Sequence, residues 1–271
     1  MANTRATSWA RLGKRTVRNK QKLENWMVLP GLALVLTAIS LVAMGVGAVS
    51  VPATDVAGIL LAATGIPINA EFASTEVAVV QSIRLPRVLM GILVGSSLAI
   101  CGAALQGLFR NPLADPALVG VSSGAALGAV SAIVLSQSVF AGFEQLFGSY
   151  LLPVSAFTGG VLTTFVVYRI AQTGGRAGVT TLLLAGIAIG SLSAAGTGLL
   201  TYLADDFQLR TLTFWSMGSL GGATWSKVGP SALLMLAAIV IIPTQARALN
   251  AFLLGESEAM HLGFDLSLIH I

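Results

Sequence analysis

Charge is scarce in this sequence. Only 10% of its 271 residues are Asp, Glu, Lys or Arg, against about 25% in ordinary soluble domains. With 55% hydrophobic residues and a mean hydropathy of +0.85, it cannot cover a water-facing surface, and soluble folds are excluded. Cysteine is nearly absent too: Cys101 stands alone, so no intrachain disulfide forms, and within an apolar run it reads as a small buried side chain. The two histidines, His261 and His270, lie near the end. No Cys/His cluster is available for zinc. Gly120-Val121-Ser122-Ser123-Gly124 fits the G-x-S-x-G nucleophile elbow, but with no histidine near it in sequence a membrane serine hydrolase is a weak alternative. No G-x-x-x-x-G-K-[ST] phosphate loop exists, which excludes ATP binding by that route. The apolar runs carry almost no ionisable groups, where proton- or ion-coupled carriers place Asp, Glu or His. The expectation is a chain with no catalytic residue, no metal site and no cofactor of its own.

What the sequence does have is long apolar runs separated by basic turns. A net charge of +4 and a pI near 9.6 could suggest nucleic acid. The basic residues instead gather at Arg5, Arg11, Lys14, Arg15, Arg18, Lys20 and Lys22 and between apolar runs, as the positive-inside rule has it for contact with inner-leaflet lipid. The predicted organisation is a basic cytoplasmic tail over 1–25, a transmembrane domain over 26–246 and a cytoplasmic segment over 247–271. Six spans are expected, near 28–51, 88–109, 117–135, 151–170, 179–202 and 229–242; the uncharged run 88–109 is long enough to cross the roughly 30 Å hydrocarbon core as a helix. The first apolar run exceeds the 7–15 residues of a signal-peptide core and reads as a retained span. Residues 55–63 suggest a short surface helix, 66–75 a loop, 140–150 an aromatic connection, 174–178 a turn and 205–228 an amphipathic stretch. With the N-terminus inside, all but four of the Lys and Arg residues (Arg84, Arg87, Arg210 and Lys227) fall on the cytoplasmic side. The fold class is all-α, a polytopic membrane helix bundle.

Small residues recur every fourth position in three places: Gly91, Gly95, Ala99, Ala103 and Gly107; Gly120, Gly124, Gly128 and Ala132; and Gly186, Gly190, Ala194 and Gly198. Such stripes let backbones approach closely in membranes, so all three are expected to be packed. Between the first two lies a helix stop and start. Asn111 is the expected left-handed closing residue, Pro112 cannot continue the helix, and Asp115 with Pro116 supplies an N-cap and a first-turn proline.

Arg84-Leu85-Pro86-Arg87, Gly102-Ala103-Ala104-Leu105-Gln106-Gly107, Asn111-Pro112-Leu113-Ala114-Asp115-Pro116 and Gly120-Val121-Ser122-Ser123-Gly124 occur here in order. Together they resemble the FecCD-type permease subunits of ABC importers, which carry iron-siderophores, haem or vitamin B12 across the bacterial inner membrane. The resemblance implies a ten-helix permease, so a chain with six spans is expected to be truncated at its C-terminus. It implies separate ATP-binding subunits that use ATP and Mg, a periplasmic or lipoprotein substrate-binding protein, and a second permease copy forming a homodimer. It implies a multi-pass inner-membrane location with the N-terminus in the cytoplasm.

The resemblance also assigns roles. Leu249, Asn250, Leu254, Gly255, Glu256, Ala259, Leu262 and Gly263 correspond to the segment that docks on the ATPase. From the residues alone, 249–263 reads as two short helices broken at Gly255 and closed by Gly263. Leu249, Phe252 and Leu253 are then expected to bury in a partner groove, and Glu256 and Glu258 to meet basic or N-terminal groups there. The plainer alternative is an amphipathic helix resting on lipid. Gly91, Gly95, Gln106, Asn111, Pro112, Asp115, Pro116, Gly120, Ser122 and Gly124 are assigned to translocation or packing. Arg84, Arg87, Arg210 and Trp215 are exterior candidates for contact with the binding protein or substrate, or interfacial anchors. The 213–220 segment resembles the haem and siderophore branch, which puts haem first, siderophore next and vitamin B12 last. A secondary transporter or a non-transporting membrane scaffold is the competing reading.

Overall fold

The computed structural model describes residues 27–68, 70–135, 141–173 and 176–263. The expected basic tail, the final residues 264–271 and the Gly174-Gly175 centre of the predicted turn lie outside the described residues. The helices are α1 (Met27–Gly45), α2 (Ala53–Ala63), α3 (Ser74–Ala78), α4 (Leu85–Phe109), α5 (Val121–Val134), α6 (Ala141–Phe147), α7 (Leu151–Ala171), α8 (Val179–Leu203), α9 (Asp206–Met217), α10 (Trp225–Thr244), α11 (Ala246–Phe252) and α12 (Glu256–His261). A short antiparallel ladder pairs Gln172 with Ala177 and Thr173 with Arg176. The all-α class holds.

Five helices among the described residues are long and apolar enough to cross a membrane: Met27–Gly45, Ser74–Phe109, Gln145–Ala171, Val179–Leu203 and Trp225–Thr244. The sixth expected stretch, 117–135, is also apolar, but its helix is shorter and falls outside that count. The stretch expected to span at 117–135 forms a 3-10 turn, Pro116–Val119, and then the 14-residue α5. At 1.5 Å per residue α5 reaches about 21 Å, and the 3-10 turn at about 2.0 Å per residue adds about 8 Å, so turn and helix together approach the roughly 30 Å hydrocarbon thickness. Gly120, at φ 81°, separates turn from helix in a conformation that suits glycine. The second span, by contrast, is longer than its apolar core suggested. It begins at Ser74 and passes through a π-helical turn, Val79–Arg84. Pro86 has no N–H to give the Ser82 carbonyl, and the ladder widens just before it.

Backbone packing separates two compact units: the described part of Met1–Met90 with Ala223–Val228, and Gly91–Gly222 with the described part of Gly229–Ile271. In the first, Met44, Val51, Val56, Ile59 and Val80 form the core. The α2 helix, expected to lie on the surface, contributes its Val56 and Ile59 to that core. In the second, α5, α7 and α8 pack at glycine contacts. A Cβ at Gly124 would run into Thr163 and the Gly159 carbonyl, one at Gly128 into the Ser155 carbonyl, and one at Gly186 into the Leu118 carbonyl. The described part of the aromatic connection, 141–150, is α6 and a 3-10 turn, with the Phe143 and Phe147 rings stacked at 6.3 Å between centroids, one helical turn apart.

Candidate functional site

The long helix α4 ends in a Schellman closure. The Asn111 N–H donates to the Gln106 carbonyl (3.2 Å) and the Arg110 N–H to the Gly107 carbonyl (3.3 Å), which satisfies carbonyls that a helix end leaves orphaned. The left-handed residue is Arg110, at φ 50°, and not Asn111 as expected. Asn111 is used otherwise: its Oδ1 accepts from the Leu113 N–H at 2.9 Å, an Asx turn that reverses the chain. Asp115 Oδ1 accepts from the Ala117 N–H at 2.7 Å, with Pro116 in the first turn. Both reproduce the predicted N-terminal signal. Ser122 is exposed early in α5, on a 3-10 to helix junction rather than a strand-to-helix turn, so the elbow pattern has no hydrolase geometry.

The segment after α10 folds as two short helices, α11 and α12. Gly255 sits between them at φ 129°, ψ 150°, a region open essentially only to glycine. Gly263 follows at φ 80°. Leu249, Phe252 and Leu253 were expected to face a partner, but the structure divides them. Phe252, 4% exposed, is buried with Ala251 and Ala259 against Leu108 of α4, and the Arg110 guanidinium lies 4.5 Å from its ring centroid. Leu249 is half-buried, and a Cβ at Gly107 would lie 3.8 Å from its own. The opposite face presents Leu253, Leu254 (68% exposed), Met260 and Leu262, with Asn250 and Glu258 exposed. Helix α12 starts at Glu256, whose side chain is outside the described residues. Phe252 and Ala259 are thus inward anchors, and the outward face belongs to the leucines. A hollow of about 530 Å³ brings Gln106, Asn111 and Pro112 together with Leu249 and Asn250. A more apolar groove of about 690 Å³ is lined by Leu105, Phe109, Phe157, Phe165, Val179 and Phe252, among others.

The exterior candidates also divide. Arg84, expected as an exposed basic group, is 7% exposed. Its Nη1 donates to the carbonyls of Met44 and Gly45 (2.9 Å for the second) and its Nη2 to that of Val49. It caps the C-terminus of α1, where a cation complements both the orphan carbonyls and the dipole. Gly47 makes room, since a Cβ there would lie 2.6 Å from Nη2. Arg87 and Arg210 are exposed, and Trp215 is half-buried. Among the described residues the middle of the α4 packing stripe is open. Gly95, Ala99, Ala103 and Gln106 are exposed, nothing stands within 4 Å of a Cβ at Gly95, and Gly91 meets only Leu220 at 3.4 Å.

Sequence reasoning missed Gln208. It completes a capping box with Asp205, and its Nε2 donates to the Val134 carbonyl at 3.3 Å, closing the end of α5. The D-x-x-Q spacing was the available signal. It also missed Arg110. Among the described residues no cluster of His, Cys, Asp or Glu could hold a metal ion.

The model of the FecCD transport family matches residues 33–271. The chain belongs to the FecCD transport family. The FecCD chain is 45% identical over 184 residues to a hemin transport system permease protein of Yersinia pestis, covering 68% of this chain and 54% of the relative. It is 40% identical over 199 residues to a cobalamin import system permease protein of Halobacterium salinarum, covering 73% and 51%. It spans about half the length of these curated relatives. A solved structure described as an inward-facing conformation of a metal-chelate type ABC transporter superposes with a TM-score of 0.73 at 29% identity, covering 90% of this chain and 70% of that one.

Proposed function

We propose that this FecCD chain is the permease part of an ATP-driven importer of an iron chelate, with haem ahead of siderophore and vitamin B12. It does no chemistry on its cargo. ATP and Mg are used by separate ATP-binding subunits, a substrate-binding protein delivers the ligand outside, and a second permease copy completes the path. The N-terminus lies in the cytoplasm of a bacterial inner membrane. The observation that carries the reading is the two-faced segment 246–263, whose Phe252 side is packed on α4 and whose Leu253, Leu254, Met260 and Leu262 side is open. An apolar helix face of that kind docks in a groove on a partner. The hemin permease relative supports haem as cargo, and the scarcity of ionisable residues in the described spans argues against a proton-coupled carrier.

The test is reconstitution with the ATP-binding subunit of the same system. Hemin delivered by its binding protein should stimulate ATP hydrolysis, and ferric siderophore and cobalamin should do so less. Leu254→Asp should abolish binding of the ATP-binding subunit while leaving the thermal midpoint of the permease unchanged. Binding retained by Leu254→Asp would contradict the docking assignment.

A further inference from the structure

We propose that Arg110, stacked on Phe252, is a positioning residue that joins segment 246–263 to the last turn of α4, so that a displacement of the segment is delivered to that helix. The inference rests on the reading of 246–263 as the docking segment for an ATP-binding subunit, and it adds which residue carries the movement inward.

The left-handed position that closes a Schellman motif favours glycine, and a side-chain-bearing residue there is held at a conformational cost. Arginine occupies it here, at φ 50°, and that backbone conformation carries its guanidinium to 4.5 Å from the Phe252 ring centroid. The ring is buried against Leu108, and a cation interacts more strongly with a ring removed from water. One turn away, the missing side chain of Gly107 leaves space that Leu249 approaches. Residues 107, 108 and 110 of one helix end therefore hold Leu249 and Phe252 of α11. Only Gln245 separates α11 from α10, so the segment is fixed by α10 at one end and by α4 through Phe252 at the other. No charge occurs from Val88 to Phe109 and α4 is an unbroken helix, so a push on its last turn moves the helix as a unit. Arg169 supplies an internal contrast. It lies 4.9 Å from the Phe165 ring centroid, but both residues belong to α7, so that pair joins nothing to anything else.

The experiment compares Arg110→Gly, Phe252→Leu, their double variant and Arg169→Ala with the unaltered full chain. Glycine suits the backbone at position 110, so Arg110→Gly should fold at least as stably. In the assembled transporter, hemin carried per ATP hydrolysed should fall about fivefold, the scale of one partly buried cation–π contact. Phe252→Leu should do the same, the double variant should be no worse than either single change, and Arg169→Ala should match the unaltered chain. In the permease alone, amide hydrogen exchange across 249–263 should accelerate in Arg110→Gly and not in Arg169→Ala. Unchanged transport per ATP, or unchanged exchange, in Arg110→Gly overturns the joint. Failure of the unaltered chain to bind the ATP-binding subunit overturns the importer reading instead, and the exchange measurement then decides the joint by itself.

Discussion

The small-residue stripes of α4 and α5 look alike in sequence and differ in structure. Along α5, Gly124 and Gly128 sit so close to α7 that a single added carbon would strike Thr163 and the carbonyls of Gly159 and Ser155. Along α4, Gly95 has open space beside it, and Ala99 and Ala103 are exposed. The stripe of α8 lies between these cases. Gly186 and Gly190 meet the Leu118 carbonyl and Ser123, while Gly198 meets nothing. A stripe thus states that a backbone can approach, and the presence of a neighbour decides whether one does.

The comparison is broken most severely at Gly124. Gly124→Leu forces α5 and α7 apart and should cost more than about 3 kcal/mol, beyond the usual range for overpacking because the obstacle is backbone. The expected readout is loss of the monodisperse peak in detergent or a large fall in thermal midpoint, and an unchanged midpoint would mean the close approach is wrong. Arg84→Met sharpens the comparison by testing closure through charge rather than through small size. It leaves the carbonyls of Met44, Gly45 and Val49 without their donor and should cost about 2 kcal/mol, measured by thermal unfolding; an unchanged midpoint would mean the clamp is wrong. Gly95→Leu should have the smallest effect and the opposite sign. Leucine is the better helix former by up to about 1 kcal/mol, and nothing obstructs it, so the midpoint of this chain should hold or rise slightly. A fall comparable to that of Gly124→Leu would show that the α4 stripe is closed after all.

Much of the fold was legible because local chemistry wrote it. The stop at Asn111-Pro112, the cap at Asp115-Pro116, the break at Gly255 and the αL closure at Gly263 each depend on a residue and its immediate neighbours, and each occurs where the sequence places it. What failed depended on distant partners. Arg84 and Arg87 stand three residues apart on the same basic motif, yet one is buried on carbonyls about forty residues away and the other is exposed. Periodicity within 84–87 holds no trace of that difference. Phe252 turned inward for the same reason: an amphipathic segment declares that one face will bury, but not whether the chain itself or another protein will cover it. Arg110 escaped notice because asparagine is the commoner left-handed residue and stands next to it. At 117–135 hydropathy continues across Gly120 and the helix does not, a break that hydropathy alone does not reveal.

The Arg84 clamp also has a consequence for biosynthesis. Ribosomes add about 5–20 residues per second, so the 40 residues from Met44 to Arg84 emerge over about 2–8 s. During that interval α1 is already made while the donor for its terminal carbonyls is still in the ribosome. Water must serve those carbonyls in the meantime, which holds the end of α1 at the membrane interface until Arg84 arrives to replace the solvent. The first helix is therefore completed by the π-helical turn of the second span, and its last carbonyls gain their donor only when Arg84 has been translated.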